Sequence, residues 1–238
     1  MYIKFILKIL SFFDYFKKRN VINFFKKNTI GGIDNLIDVG AHHGETIKLF
    51  NEKFKINNIF AFEPSYKNFK ILEKKTKNIT GSNLNIYNYG LGETEGLFDF
   101  NESVESQSST LVSINYKSNY YKKKEKLLQF FKKDKNLFFT TKVNIKTLDN
   151  FLKEKKLNYV EILKIDTEGY DFNVIRSLGK KINCINFIYF EHHFHNMLNK
   201  SYTFNQVNNF LTSNGFKKVF KTKMFHRKTF EYIYKNTN

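Results

Sequence analysis

The chain is poor in residues that stiffen or cross-link a backbone: it has one cysteine (Cys184), one proline (Pro64) and no tryptophan in 238 residues. A lone thiol excludes an internal disulfide and a thiolate zinc site, so a reducing, cytoplasmic setting is the natural expectation. Cys184 itself reads as packing. No window is long and apolar enough to span a bilayer. Acids are scarce as well, 22 Asp+Glu against 40 Lys+Arg, for a formal net charge of +18. Such a surplus raises nonspecific attraction to phosphate or anionic lipid. The lysines are spread through almost every segment beside Asn, Ile and Phe, the mark of a compositional bias, so the charge by itself names no partner.

Apolar residues are plentiful, at 41% of the chain. That content and length predict a single domain over 31–238, preceded by a basic amphipathic helix over 1–30. Tyr2, Phe5, Ile6, Ile9, Phe13 and Phe16 recur at helical spacing, with Lys4, Lys8, Ser11 and Lys18 on the other side. Lys8 and Asp14 interrupt the apolar run, which argues against a cleaved leader. Two readings stay open: a helix lying across the domain's own sheet, or peripheral contact of residues 1–28 with an anionic membrane.

The most informative stretch is Leu36-Ile37-Asp38-Val39-Gly40-Ala41-His42-His43-Gly44-Glu45-Thr46, which reads as strand, tight turn and helix. Gly40 and Gly44 would let a ligand approach the main chain, and the amides opening the helix offer donors to it. The dinucleotide fingerprint G-x-G-x-x-G is absent. An acid at the strand end fits a cofactor without phosphate, whose amino-acid end would pair with Asp38. S-adenosylmethionine has that description; a purely structural turn is the competing reading. A second strand, Asn58 to Phe62, runs into Glu63 and Pro64, and an acid there is placed to bind ribose hydroxyls. Leu84 to Tyr89 supplies a third strand, Gly90-Leu91-Gly92 a turn, and Gly96 to Phe100 a hairpin arm.

Residues 101–141 lose any clear period and read as a mobile insertion or as a lid over substrate. Beyond them Thr147 is placed to cap a helix. The segment Tyr159 to Ile165 is a further strand, predicted to lie beside the first and to carry Asp166 and Glu168 to the rim that holds Gly40 and Glu63. Ile185 to Phe190 is another, followed by Glu191-His192-His193-Phe194-His195. Those histidines on a loop could bind a metal, act as a base, or serve as polar filling. Two more strands, around Phe216 and Phe230, close the sheet, the last one antiparallel.

In this order the motifs I-D-V-G-A-H-H-G (37–44), F-A-F-E-P (60–64), the Asn88 to Gly92 turn, T-L-D-N-F-L (147–152), L-K-I-D-T-E-G-Y-D (163–171) and I-Y-F-E-H (188–192) resemble the FkbM family of S-adenosylmethionine-dependent methyltransferases. The resemblance implies an α/β fold of class I, Rossmann-like: a seven-stranded, mostly parallel sheet with an antiparallel last strand and helices on both faces. It implies S-adenosylmethionine held by Asp38, Gly40, Gly44, Glu63, Pro64, Gly90 and Asp166, and O-methylation of a glycan or small-molecule acceptor, commonly a sugar in a polysaccharide, glycolipid or natural product. Asp166, Glu168 and His192 are the candidates for catalysis, and no metal ligand is assigned. Asp171 stands where the family usually has a glutamate and is not expected to act directly. The rival reading, a nucleic-acid methyltransferase, lacks the Asn/Asp-Pro-Pro-aromatic turn of base-amine enzymes, since the sole proline is Pro64. A noncatalytic nucleoside-binding or membrane-associated module is the third reading.

Overall fold

The computed structural model describes residues 18–129, 137–224 and 228–238. Two βα units open the domain: β1 (Ile33–Val39), α2 (Glu45–Lys53), β2 (Ile56–Phe62) and α3 (Tyr66–Thr76), preceded by helix α1 over 18–28. Next come β3 (Asn83–Tyr87), β4 (Gly90–Leu91), β5 (Gly96–Ser103), α4 (Asn119–Gln129), β6 (Phe138–Lys146) and α5 (Leu148–Glu154). The chain ends with β7 (Val160–Ile165), α6 (Asp171–Arg176), a 3-10 turn (Gly179–Cys184), β8 (Ile185–His193), α7 (Phe204–Ser213), β9 (Phe216–Lys223) and β10 (Thr229–Asn236).

Seven strands form one sheet in the order β3-β2-β1-β7-β8-β10-β9. The neighbours from β3 to β8 are parallel, and β10 lies antiparallel between β8 and β9. The order reverses between β1 and β7, and such a switch point opens a crevice beyond the strand ends. Alternation along each strand divides the core in two. Ile37, Val39, Phe62, Leu163, Ile165, Ile188 and Phe190 face α5, α6 and α7. Leu36, Ile59, Ile162, Phe187 and Tyr189 face α1, α2 and α3. Helix α1 joins the second cluster through Val21, Ile22 and Phe25; the Phe25 ring lies edge-on to Phe187 and Phe50. Burying that phenyl group contributes on the order of 2–3 kcal/mol. Most of the helix expected over 1–30 lies outside the described residues.

Three expectations are corrected. Gly90-Leu91 is not a turn but a short strand, parallel to β6, in a second sheet of order β4-β6-β5. The arm at Gly96 is no local hairpin, because its antiparallel partner is β6, more than thirty residues along the chain. Glu191, His192 and His193 are not on a loop: they continue β8, paired with β10 through His193↔Thr229. The apolar and aromatic run from Ile185 announced β8, but Gly90-Leu91 carries no strand signal of its own, and the long-range partners of these strands have no local signature.

Candidate active site

A cavity of about 280 Å³ opens over the carboxyl ends of β1, β2 and β7. One wall begins at Gly40, in the left-handed region at φ 76°. A Cβ built there would stand 1.9 Å from the Asp166 carbonyl oxygen, so only glycine allows the loops after β1 and β7 to touch. The amides of Gly40 and Ala41 both donate to the Phe62 carbonyl at 3.0 Å, tying that loop to β2.

Glu63 follows directly. One carboxylate oxygen accepts from the His42 amide at 2.8 Å and the other from the Ser65 amide at 2.9 Å. Burial nevertheless pushes its pKa up to about 7, outweighing those two bonds. Asn88 donates to the carbonyls of Glu63 and Pro64, which fixes the turn, while Pro64 and Gly90 line the same wall.

The adjoining wall is the loop after β7, where Asp166, Thr167 and Glu168 line the cavity. Glu168 is a non-glycine residue at φ 50°, a conformation that must be imposed by its surroundings. Several contacts impose it. Thr110 donates its hydroxyl to the Glu168 carbonyl at 2.8 Å, and Tyr202 donates to the Gly169 carbonyl at 3.0 Å. Asp171, buried, accepts from the Thr167 amide and hydroxyl and from the Gly169 amide. Burial raises the Asp171 pKa to about 6 against those bonds. Its carboxylate is thus engaged with its own loop, which gives it a positional role.

The segment after β5 closes the cavity from above. Ser106, Gln107, Ser109 and Leu111 line it, and Ser106 meets the His42 ring at 2.8 Å. Ser106 (φ 67°), His42 (φ 49°) and Glu168 are three of the four non-glycine residues at positive φ among those described, and all three line this cavity. From the far end come Tyr189, Glu191 and Glu231; the Tyr189 hydroxyl donates to Glu231 at 2.7 Å.

Gly40, Glu63, Pro64, Gly90, Asp166 and Glu168 therefore meet around one space, as the spacing of the motifs predicts. Three expected residues do not. Asp38 is fully buried and turned to Lys164, its neighbour in the parallel register, with 2.8 Å between their charged atoms. Lys164 also reaches the Gly40 carbonyl at 3.2 Å. Burial opposes the Lys164 charge, but the Asp38 carboxylate beside it, and then Asp166, hold its pKa above the ordinary value. Asp38 thus supports the loop through Lys164 instead of lining the cavity. Gly44 is also set back; a Cβ there would meet Thr76 and Leu72 of α3 at 2.8 and 3.0 Å, so its smallness serves helix packing. His192 points to the other face of β8, among Phe194, Tyr202 and Phe204, and burial lowers its pKa to about 3.

Lys164 was missed, although a lysine in the middle of the apolar run Ile162 to Ile165 was a signal, since a buried ammonium requires a partner. Ser106 and Thr110 had no local signal at all. Among the described residues, His42, His43 and Glu45 form the group whose ligand atoms approach most closely for a metal. Their two imidazoles are stacked, 3.6 Å between centroids and 25° apart, so the in-plane lone pairs run side by side instead of converging.

The residues present fit a nucleoside cofactor without phosphates. A buried carboxylate anchored by two amides stands at the end of β2, apolar Phe62, Leu91 and Ile165 offer contact, and the two lysines that line the space among the described residues, Lys18 and Lys164, come from α1 and β7 and not from the loops after β1 and β2. A reversed last strand, a glycine turn after the first strand and an acid after the second define the class I methyltransferases. The family model for the methyltransferase FkbM domain matches residues 38–218, and the chain belongs to that family.

Solved structures agree on the fold. The FkbM methyltransferase of Methylobacillus flagellatus superimposes with a TM-score of 0.53 at 13% identity, over 85% of this chain and 43% of that one, so this chain spans less than half of its length. The magnesium protoporphyrin IX methyltransferase of Synechocystis, solved with bound S-adenosylmethionine, gives 0.52 at 7% identity, over 92% of this chain and 77% of that one. Among curated proteins no significant match is found. No helix of the described residues is long and apolar enough to cross a membrane.

Proposed function

We propose that the protein is an S-adenosylmethionine-dependent O-methyltransferase whose acceptor is a hydroxyl of a sugar, in a polysaccharide, glycolipid or natural product. The observation that carries this reading is one cavity lined both by Gly40 and Glu63 and by the clamped Glu168 loop. S-adenosylmethionine, when bound, supplies an electrophilic methyl group. In the proposed arrangement Glu63 holds the ribose hydroxyls, the Gly40 loop lies against the nucleoside, and Asp166 stands between the two halves of the cavity.

A sugar hydroxyl is a weak nucleophile until its proton leaves, so the chain's task is to hold the acceptor oxygen close and take that proton. Glu168 is the group we assign to this step. Its strained backbone and the bonds from Thr110 hold it in place. Tyr189, Gln107, Ser109, Glu191 and Glu231 around it are partners for hydroxyl groups.

The lining also bears on the nucleic-acid alternative. Six carboxylates (Glu45, Glu63, Asp166, Glu168, Glu191, Glu231) face the cavity against two lysines, Lys18 and Lys164, among the described residues. That balance disfavours a phosphate next to the reacting atom, whatever the net charge of the exterior.

The test is to incubate the protein with labelled cofactor and separated glycans, lipid-linked saccharides and RNA. Label is expected in a saccharide fraction; label in RNA, or in none, overturns the reading. Glu168→Gln is expected to cut turnover roughly 10²- to 10⁴-fold while S-adenosylhomocysteine still binds in calorimetry.

A further inference from the structure

Two adjacent histidines at the end of β8 have opposite surroundings. The period of the strand sends His192 into an aromatic cluster and His193 to the face that carries Glu191. His193 is 3% exposed, and its Nε2 atom lies 3.6 Å from the Glu168 carboxylate and 3.9 Å from that of Glu191. On its other side Nδ1 is 3.0 Å from the Thr229 hydroxyl of β10. The His195 ring lies 5.1 Å away, itself stacked on Tyr120, and Lys200 donates to the His193 main-chain carbonyl.

These distances bear on where the imidazole carries a proton. An ionised carboxylate only accepts hydrogen bonds, so two carboxylates at 3.6 and 3.9 Å, just beyond direct hydrogen-bond distance, favour a proton on Nε2. Nδ1 is then free to accept from Thr229, whose hydroxyl can donate. The ring is thereby oriented from behind, in the way a histidine beside a metal is oriented by its outer partner.

We propose that His193 is a positioning residue for Glu168: its Nε2–H faces the Glu168 carboxylate and, with Thr229 behind the ring, keeps that carboxylate aimed at the acceptor side of the cavity. This rests on the reading of Glu168 as the proton acceptor given above. His193 does not line the cavity, so it acts through Glu168 and not on the acceptor itself. The His192 ring faces away from Glu168 and meets Lys200 at 3.2 Å, so His192→Gln, which keeps a partner for that lysine, serves as a control that keeps turnover.

Two measurements on the full chain test the proposal. The first needs no acceptor: ring ¹⁵N shifts of the protein, with the His193 signals assigned by their loss in His193→Gln. Nε2 is expected to be the protonated nitrogen, and Glu168→Gln to move its resonance. A ring protonated on Nδ1 alone, or one indifferent to Glu168→Gln, overturns the pairing.

The second is a double-mutant cycle with labelled S-adenosylmethionine and methyl glycosides of glucose, galactose, mannose and rhamnose as probes. His193→Ala is expected to lower kcat about 10- to 100-fold with KM for the cofactor unchanged, His193→Gln to recover part of it, and His193→Ala to cost little more once Glu168→Gln is present. Equal losses in both backgrounds would mean that His193 merely supports the fold. If the wild-type protein labels neither these probes nor any saccharide fraction in the test above, the O-methyltransferase reading fails and takes the proposed role with it. If it is active and His193→Ala keeps its kcat, only the role of His193 falls.

Discussion

Between Gly40 and Pro64 the cavity wall is made by two successive βα units, whereas at its second end Glu168, Glu191 and Glu231 arrive from three elements far apart in the chain. The first end is held mainly by main-chain geometry. A left-handed glycine, paired amides on the Phe62 carbonyl and amides on Glu63 leave little to side-chain choice. The second end is held by side chains: the Thr110 hydroxyl, the Asp171 carboxylate, the Tyr202 phenol and the His193 ring all bear on the one loop that carries Glu168. Main-chain contacts tolerate changes in the side chains around them, whereas contacts made by side chains can be rebuilt by single substitutions.

The contrast can be broken most severely beneath the first end. Lys164→Met leaves Asp38 as a buried carboxylate without its cation, at a cost of about 3–5 kcal/mol in urea unfolding. The double variant Asp38→Asn, Lys164→Met is expected to recover at least half of that loss. If Lys164→Met costs no more than a surface change, the pair is not what supports the Gly40 loop.

A smaller effect, in both stability and function, is expected at Glu63. Its pKa rises from 4.5 to about 7 in the fold because of burial. The folded state therefore binds the proton more tightly than the unfolded chain. The stability this contributes is present below the lower value and is lost as pH climbs toward the higher. Glu63→Gln removes the ionisation penalty but loses one of the two amide acceptors at every pH, so its stability relative to wild type should be roughly 1–3 kcal/mol more favourable at pH 8 than at pH 4 in the cofactor-free protein. The same change should weaken S-adenosylhomocysteine binding about tenfold or more, since the ribose loses charge-assisted acceptors. Unfolding curves at the two pH values, with calorimetry, check both halves; a variant whose stability relative to wild type is the same at both would mean that Glu63 is ionised at little cost.

The smallest effect sharpens the second end. Thr110→Val removes the bond to the Glu168 carbonyl, worth about 1 kcal/mol. It is expected to lower kcat roughly three- to tenfold while S-adenosylhomocysteine affinity stays the same. A loss confined to cofactor affinity would place the segment after β5 over the nucleoside instead of over the acceptor.

Much of the first end was legible in the amino-acid order. Gly40, Glu63 and Pro64 each follow a short apolar run, and local steric rules tell where a chain must turn and where an acid ends a strand. Asp38 and Gly44 show the limit of that reading. The motif located them correctly, yet the register of β1 with β7 turned the carboxylate to Lys164, and the approach of α3 gave the glycine a packing role. His192 and His193 show a sharper limit. Once β8 continues through both, the period of two sends one to the aromatic core and the other to Glu168, and assigning them to a loop concealed that choice.

Composition and motif order by themselves determined the α/β class, the succession of strands in the main sheet and the family to which the chain belongs, because these depend on local periodicity and on short stretches read in sequence. Only the tertiary structure decided which acid pairs with which base, which histidine meets Glu168 and how the segment after β5 covers the site. Those outcomes depend on strand register and on contacts between residues distant in the chain, where nothing in either neighbourhood announces the partner.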